Sequence, residues 1–146
     1  MSSKPSDLAK ALFGEQKYTC SQAVFAAYGE YLSKGKLDKE ICVKIASPFG
    51  GGVAGLGNIC GGLNGALMAI GLKYGGTSRE AYDKVQAVSR KLLDEFKALH
   101  GSIMCRVLIN HDLHTDEDID HAFKTGAFDN CSKFVEDITV ILDKRL

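Results

Sequence analysis

Thr77-Ser78-Arg79-Glu80-Ala81-Tyr82-Asp83-Lys84-Val85-Gln86-Ala87-Val88-Ser89-Arg90-Lys91-Leu92-Leu93-Asp94-Glu95-Phe96-Lys97-Ala98-Leu99-His100-Gly101 is the stretch that decides the fold. Thr77 and Glu80 stand in the spacing of a capping box, and Ala81, Val85, Val88, Leu92, Phe96 and Leu99 recur every three or four residues. Gly101 follows His100 where such a helix stops. The period is that of a long amphipathic helix, with no trace of the two-residue alternation of a strand.

The same period continues in both directions. Upstream, Gly75 and Gly76 close a helix of small residues that runs to about Tyr74 and contains Gly61, Gly62, Gly65, Ala66 and Ala69. Farther back, Thr19 to about Ser33 places Ala23, Val24, Ala27, Tyr28 and Tyr31 on one stripe, with Gly35 placed to end it. Asp38 to Ala46 puts Ile41, Cys42 and Ile45 on one face before Pro48 stops it. Downstream, Ser102 to Leu108 reads as one or two turns and Asn110 to His114 as a polar loop. Thr115 to Lys124 reads as a short helix, and Asn130 to Leu146 as an amphipathic one through Phe134, Ile138, Ile141 and Leu142. The expectation is an all-α fold, a single-domain helical bundle over residues 1–146 with a glycine-rich loop between helices.

That loop, Phe49 to Gly57, leads through Asn58 and Ile59 to Cys60-Gly61-Gly62. Glycine at this density implies positive φ or close approach, because nothing else repays its entropy. Gly50-x-Gly52-x-x-Gly55 matches the dinucleotide fingerprint in form. It follows a short helix and Pro48 instead of a strand, however, and no acidic residue lies about 20 positions on. Leu56 occupies the place of a phosphate-loop lysine, so no nucleotide is expected. The remaining readings are a structural turn and a backbone packed against a sulfur site, with Gly51, Gly52 and Gly61 as the candidate cofactor-binding positions.

Composition narrows the function. The chain of 146 residues carries 18 acidic and 18 basic residues, which is no footprint for nucleic acid. The N-terminus lacks a secretory apolar run, and Leu63–Leu72 is too short to span a bilayer, so a cytoplasmic location without membrane insertion is expected. A chain of this size buries a core without staples, and its five cysteines form no even framework.

Four of those cysteines sit at expected helix starts. Cys20 follows Thr19, which pairs with Gln22 in a capping box, and Cys131 follows Asn130. Cys60 and Cys105 lie two and three residues after the candidate caps Asn58 and Ser102. A helix N-terminus favours the thiolate, and the basic neighbours Lys17, Arg106 and Lys133 add to that expectation. Thiolates are both the nucleophiles of disulfide exchange and ligands of soft metals. Cys42, mid-helix between Ile41 and Ile45, reads as a core filler. His111-x-x-His114 suits a metal if helical, but the surrounding acidic residues favour a solvated loop; the four histidines, with His100 and His121, are mostly in polar surroundings.

Thr19-Cys20-Ser21-Gln22-Ala23-Val24, Phe49-Gly50-Gly51-Gly52, Cys60-Gly61-Gly62-Leu63-Asn64-Gly65-Ala66-Leu67-Met68, Gly101-Ser102-Ile103-Met104-Cys105-Arg106 and Cys131-Ser132-Lys133-Phe134-Val135 resemble, in order and context, the redox-active family designated C_GCAxxG_C_C. One residue departs from its short CGAxxG motif: Gly62 stands where the motif has alanine, a change expected to loosen the helix by about 0.5–1 kcal/mol. The resemblance implies that Cys20, Cys60, Cys105 and Cys131 are the functional four and leaves Cys42 outside. No CxxCH occurs, so haem is not expected.

The expectation that follows is four cysteines converging beside the glycine loop as a redox centre. Two thiols would cycle to a disulfide, with Cys20 or Cys60 attacking. Alternatively, all four would ligate an iron–sulfur cluster, [2Fe–2S] for choice, or a zinc ion without redox chemistry. The contrasting class is a non-catalytic interaction protein with buried cysteines. The redox partner is unspecified, and the small-residue helix is a candidate homodimer face.

Overall fold

A computed structural model describes residues 4–15 and 18–146, so Lys17 lies outside the described residues. Within them the chain forms α1 (Pro5–Gly14), α2 (Cys20–Leu32), α3 (Lys39–Ala46), a 3-10 turn at Ser47–Phe49, α4 (Gly61–Tyr74), α5 (Arg79–His100), α6 (Cys105–Leu108), α7 (Asp116–Lys124) and α8 (Cys131–Arg145). No strand occurs among the described residues beyond one isolated bridge between Ile59 and Met104. The fold is all-α, and no helix among the described residues is long and apolar enough to cross a membrane.

Helix α1 has no counterpart among the expected elements. Its signal is weak because only Ala9 and Leu12 are fully buried apolar residues and Lys4 gives no side-chain cap. Pro5 starts it at the position where a missing N–H costs nothing.

Helix α2 corrects the single-stripe expectation. Ser21 and all residues from Ala23 to Gly29 are buried, because α1, α3, α4 and α8 surround this helix. Tyr31, counted on the stripe, is 68% exposed. On α3 the buried face is Cys42 with Ala46, whereas Ile41 and Ile45 are largely exposed. Cys42 is held against α2 so closely that a Cβ on Gly29 would lie 2.6 Å from its Sγ. Cys42 is thus a space-filling core residue.

The long helix α5 is as read, with two corrections. Its cap is Ser78, whose hydroxyl accepts from the Ala81 N–H, so the helix starts one residue later than a Thr77 box requires. Leu99 is exposed, leaving Val88, Leu92 and Phe96 as the buried stripe. The Thr19–Gln22 capping box is formed on α2, and Thr115 closes another with Asp118 on α7.

Packing separates into two clusters. The larger is built on α1, α2, α3, α4, α5 and α8. The smaller holds Cys105, Ile109, Leu113 and Ala122 beneath α6 and α7. Cys131, at the start of α8, packs against both, so it lies on the seam between them.

Candidate functional site

Two helix starts bring Cys20 and Cys60 together. Thr19 caps α2 and puts Cys20 in its first turn, while Cys60 is the N-cap of α4. The Cys20 sulfur meets the Cys60 thiol as its strongest influence, and it also receives the backbone N–H groups of Ser21 and Gly62. Those contacts outweigh burial and hold Cys20 below the ordinary thiol range. Cys60 moves the other way. Its proton is retained toward Cys20, and burial adds to this, so its pKa lies well above the usual value. The N–H groups of Gly62 and Leu63 pull back without a capping bond of regular geometry. Of the reduced pair, Cys20 is the member favoured as thiolate and Cys60 the member favoured as thiol.

Two glycines make this contact sterically achievable. A Cβ on Gly61 would lie 2.6 Å from Cys20 Sγ and 2.9 Å from the Phe49 carbonyl oxygen. A Cβ on Gly65 would lie 2.7 Å from the Ser21 carbonyl oxygen and 3.1 Å from Val24 Cβ, which is how α2 and α4 come close enough for their first turns to meet. Gly62 is different. Its Cβ would meet Ile138 Cδ1 at 2.8 Å, the movable end of a side chain, and otherwise stand at ordinary distance from Cys20 and Cys60. The glycine that replaces the motif's alanine therefore does more than loosen a helix: Ile138 has taken the space.

The segment before α4 is a left-handed turn. Gly51, Gly52, Val53, Ala54 and Gly55 all have φ between 53° and 77°, and Gly57 follows at 71°. Val53 and Ala54 carry a Cβ in this region, a conformation that costs about 1–2 kcal/mol per residue. The turn closes on itself through N–H bonds from Ala54 to Pro48, from Gly57 to Gly51 and from Asn58 to Gly52. Asn58 is not a helix cap: its carbonyl accepts from Cys105 N–H, and its side-chain oxygen from Arg106. Gly52 packs under Cys105, where an added Cβ would lie 2.7 Å from that residue's Cβ. The loop thus carries Cys105 toward the Cys20–Cys60 pair.

All four signature cysteines line one cavity of about 670 Å³ at the seam between the two clusters, as do Gly51 and Gly61 but not Gly52. Burial, then the negative charge of Cys20, pushes Cys105 up to about 12. Burial likewise raises Cys131 to about 12, aided by the charges of Cys20, Cys105 and Asp129. The expectation that helix starts and basic neighbours lower all these thiols is corrected. Arg106 is turned to Asn58 and Lys133 is paired with Asp137 at 3.1 Å, so neither offsets burial. Ser102 accepts from Met104 N–H and α6 begins after an uncapped Met104. Asn130 likewise gives no side-chain cap.

Among the described residues, no three His, Cys, Asp or Glu side chains stand together as ligands around one ion. All five cysteines are free thiols. His111 and His114 do not pair. His111 Nε2 instead lies 2.9 Å from Nδ1 of His121 on α7. His100 is not in polar surroundings, since its ring packs on Phe96 and Phe134 with Nε2 2.8 Å from Asp137.

What sequence reading missed is that Phe13, Tyr18, Ile119, Phe123 and Phe128 line the same cavity. Phe13 belongs to the unread α1, and Phe123 sits on the outer part of a short helix, so periodicity gave no sign of a shared wall.

Residues 18–145 match the family model described as "Putative redox-active protein (C_GCAxxG_C_C)". No curated protein and no solved structure matches.

Proposed function

Because the chain belongs to the C_GCAxxG_C_C family of redox-active proteins, we propose that it is a thiol–disulfide redox protein whose working couple is Cys20 and Cys60. The observation that carries this reading is the contact between those two sulfurs at the meeting of two helix N-termini, with Cys20 favoured as thiolate and Cys60 as thiol. In the reductive direction Cys20 Sγ attacks a substrate disulfide, forming a mixed disulfide and expelling one thiolate, which takes a proton from water. Loss of the Cys20 charge removes the largest of the influences that held the proton on Cys60. Cys60 then attacks Cys20 Sγ and its proton passes to the substrate sulfur that is expelled, leaving a Cys20–Cys60 disulfide. Two electrons pass from the protein to the substrate.

Mild oxidation followed by peptide mapping tests this. The expected product is a Cys20–Cys60 crosslink, lost in Cys20→Ser. A crosslink confined to other pairs, or none while every thiol stays titratable, would overturn the reading.

A second reading rests on a separate observation, the grouping of all four cysteines around one cavity. Four thiolates are the donor set of an iron–sulfur cluster, and such a cluster would supply one-electron transfer. Cys20, Cys60, Cys105 and Cys131 would hold it. A single tetrahedral ion fits less well, because no three of these donors converge without side-chain movement. Protein prepared without oxygen and assayed for iron, zinc and acid-labile sulfide separates the two readings.

A further inference from the structure

The cavity above the sulfurs constrains what can reach them. Its volume of about 670 Å³ suits a small organic molecule, and its walls are aromatic and aliphatic, with Phe13 and Tyr18 on one side and Ile119, Phe123 and Phe128 on the other. Phe123 and Phe128 lie with ring centroids 4.7 Å apart, and Phe123 is 67% exposed, which makes it an accessible part of the rim. Among the described residues the lining contains no lysine, arginine or histidine. Its one carboxylate is Asp129, which curls over Gly126, where an added Cβ would lie 2.7 Å from Oδ2. An anionic substrate entering here meets the Asp129 carboxylate and the Cys20 sulfur, with no cation among the described lining residues; Lys39 Nζ lies over the Tyr18 ring, 5.7 Å from its centroid. A highly charged one of either sign must also give up its hydration against the rings.

We propose that the Cys20–Cys60 couple takes uncharged, largely apolar disulfides of small-molecule size and discriminates against anionic ones. This rests on the thiol–disulfide reading above. The step is the exchange already described: the Cys20–sulfur bond forms as the substrate's S–S bond breaks, and Cys60 then completes the two-electron transfer.

The test uses the reduced full chain and three disulfides of different charge: dithiodipyridine, which is neutral, dithiobis(nitrobenzoate), a dianion, and cystamine, a dication. Each rate at Cys20 is divided by that of free cysteine under the same conditions. The neutral reagent is expected to be favoured over the dianion by about tenfold or more, the scale of one unscreened like-charge contact at a partly solvated site, and to exceed cystamine as well. Phe123→Lys puts a cation at the exposed rim and should shrink the dianion's disadvantage several-fold, which a purely structural effect would not do. Equal normalised rates for neutral and dianionic reagents, a preference for cystamine, or an unchanged ratio in Phe123→Lys would overturn the substrate class. A rapid phase that is absent altogether, or survives in Cys20→Ser, would instead overturn the underlying thiol reading.

Discussion

Replacing Gly61 by alanine and, separately, its neighbour Gly62 by alanine should give opposite outcomes. At Gly61 the new methyl would stand 2.6 Å from Cys20 Sγ and 2.9 Å from a backbone oxygen, against the roughly 3.5–4.0 Å at which non-bonded carbon contacts are comfortable. The sulfur can rotate away, but the Phe49 carbonyl cannot. Overpacking of this kind costs about 1–3 kcal/mol, offset by about 0.5–1 kcal/mol from removing a helical glycine, so the net loss should be about 1–2 kcal/mol. Rotation also takes Cys20 off the Cys60 thiol and the Gly62 N–H. A hydrogen bond to a charged group contributes about 1.5–3 kcal/mol, so the Cys20 pKa should climb about 1–2 units. At Gly62 the methyl displaces only Ile138 Cδ1, and stability should stay within about 1 kcal/mol of the parent with Cys20 unaltered. Urea unfolding gives the stabilities, and the pH dependence of Cys20 alkylation, followed by peptide mass, gives the pKa. An unchanged Cys20 midpoint in Gly61→Ala, or greater damage from Gly62→Ala, would refute the steric account of the site.

Three further outcomes follow from the same contacts. Cys60→Ala should raise the Cys20 alkylation midpoint by about 1–2 units, because it removes the largest influence on that thiolate, and an unmoved midpoint would show that the helix termini alone set it. At high pH stability should fall. Cys105 and Cys131 keep their protons up to about 12 in the folded chain, whereas in the unfolded chain they lose them near 8.5, so between these values the unfolded state binds fewer protons. The slope should reach about 1.4 kcal/mol per pH unit per thiol, and unfolding curves of Cys105→Ala and Cys131→Ala should show a shallower alkaline limb. Ala54→Gly should raise stability by about 0.5–1 kcal/mol, the left-handed penalty less the extra freedom of the unfolded chain, as measured by the urea midpoint.

The helices were legible in the sequence because their signals are local. Thr19 with Gln22 and Gly101 after His100 act within a turn or two of their own position, and the spacing of Val88, Leu92 and Phe96 reports a face whatever covers it. The location of Cys20, Cys60, Cys105 and Cys131 at helix starts was legible for the same reason. Helix α1 escaped because two buried side chains do not make a periodic signal. Ile41, Ile45 and Tyr31 lie on apolar faces by their spacing and yet are exposed, because hydrophobic spacing shows which residues share a face but not whether a neighbour arrives to bury it.

The chemistry of the thiols was decided elsewhere. A helix start lowers a thiol pKa only if its N–H groups reach the sulfur and burial does not outweigh them. Cys20 meets both conditions because α4 delivers Cys60 and Gly62 to it, while Cys105 and Cys131 fail the second. The sequence by itself determined an all-α chain with sulfur at several helix starts. Only the tertiary structure decided which sulfur is favoured as thiolate, because that depends on partners 40 or more residues away, and on Gly61 and Gly65, whose missing side chains let those partners touch.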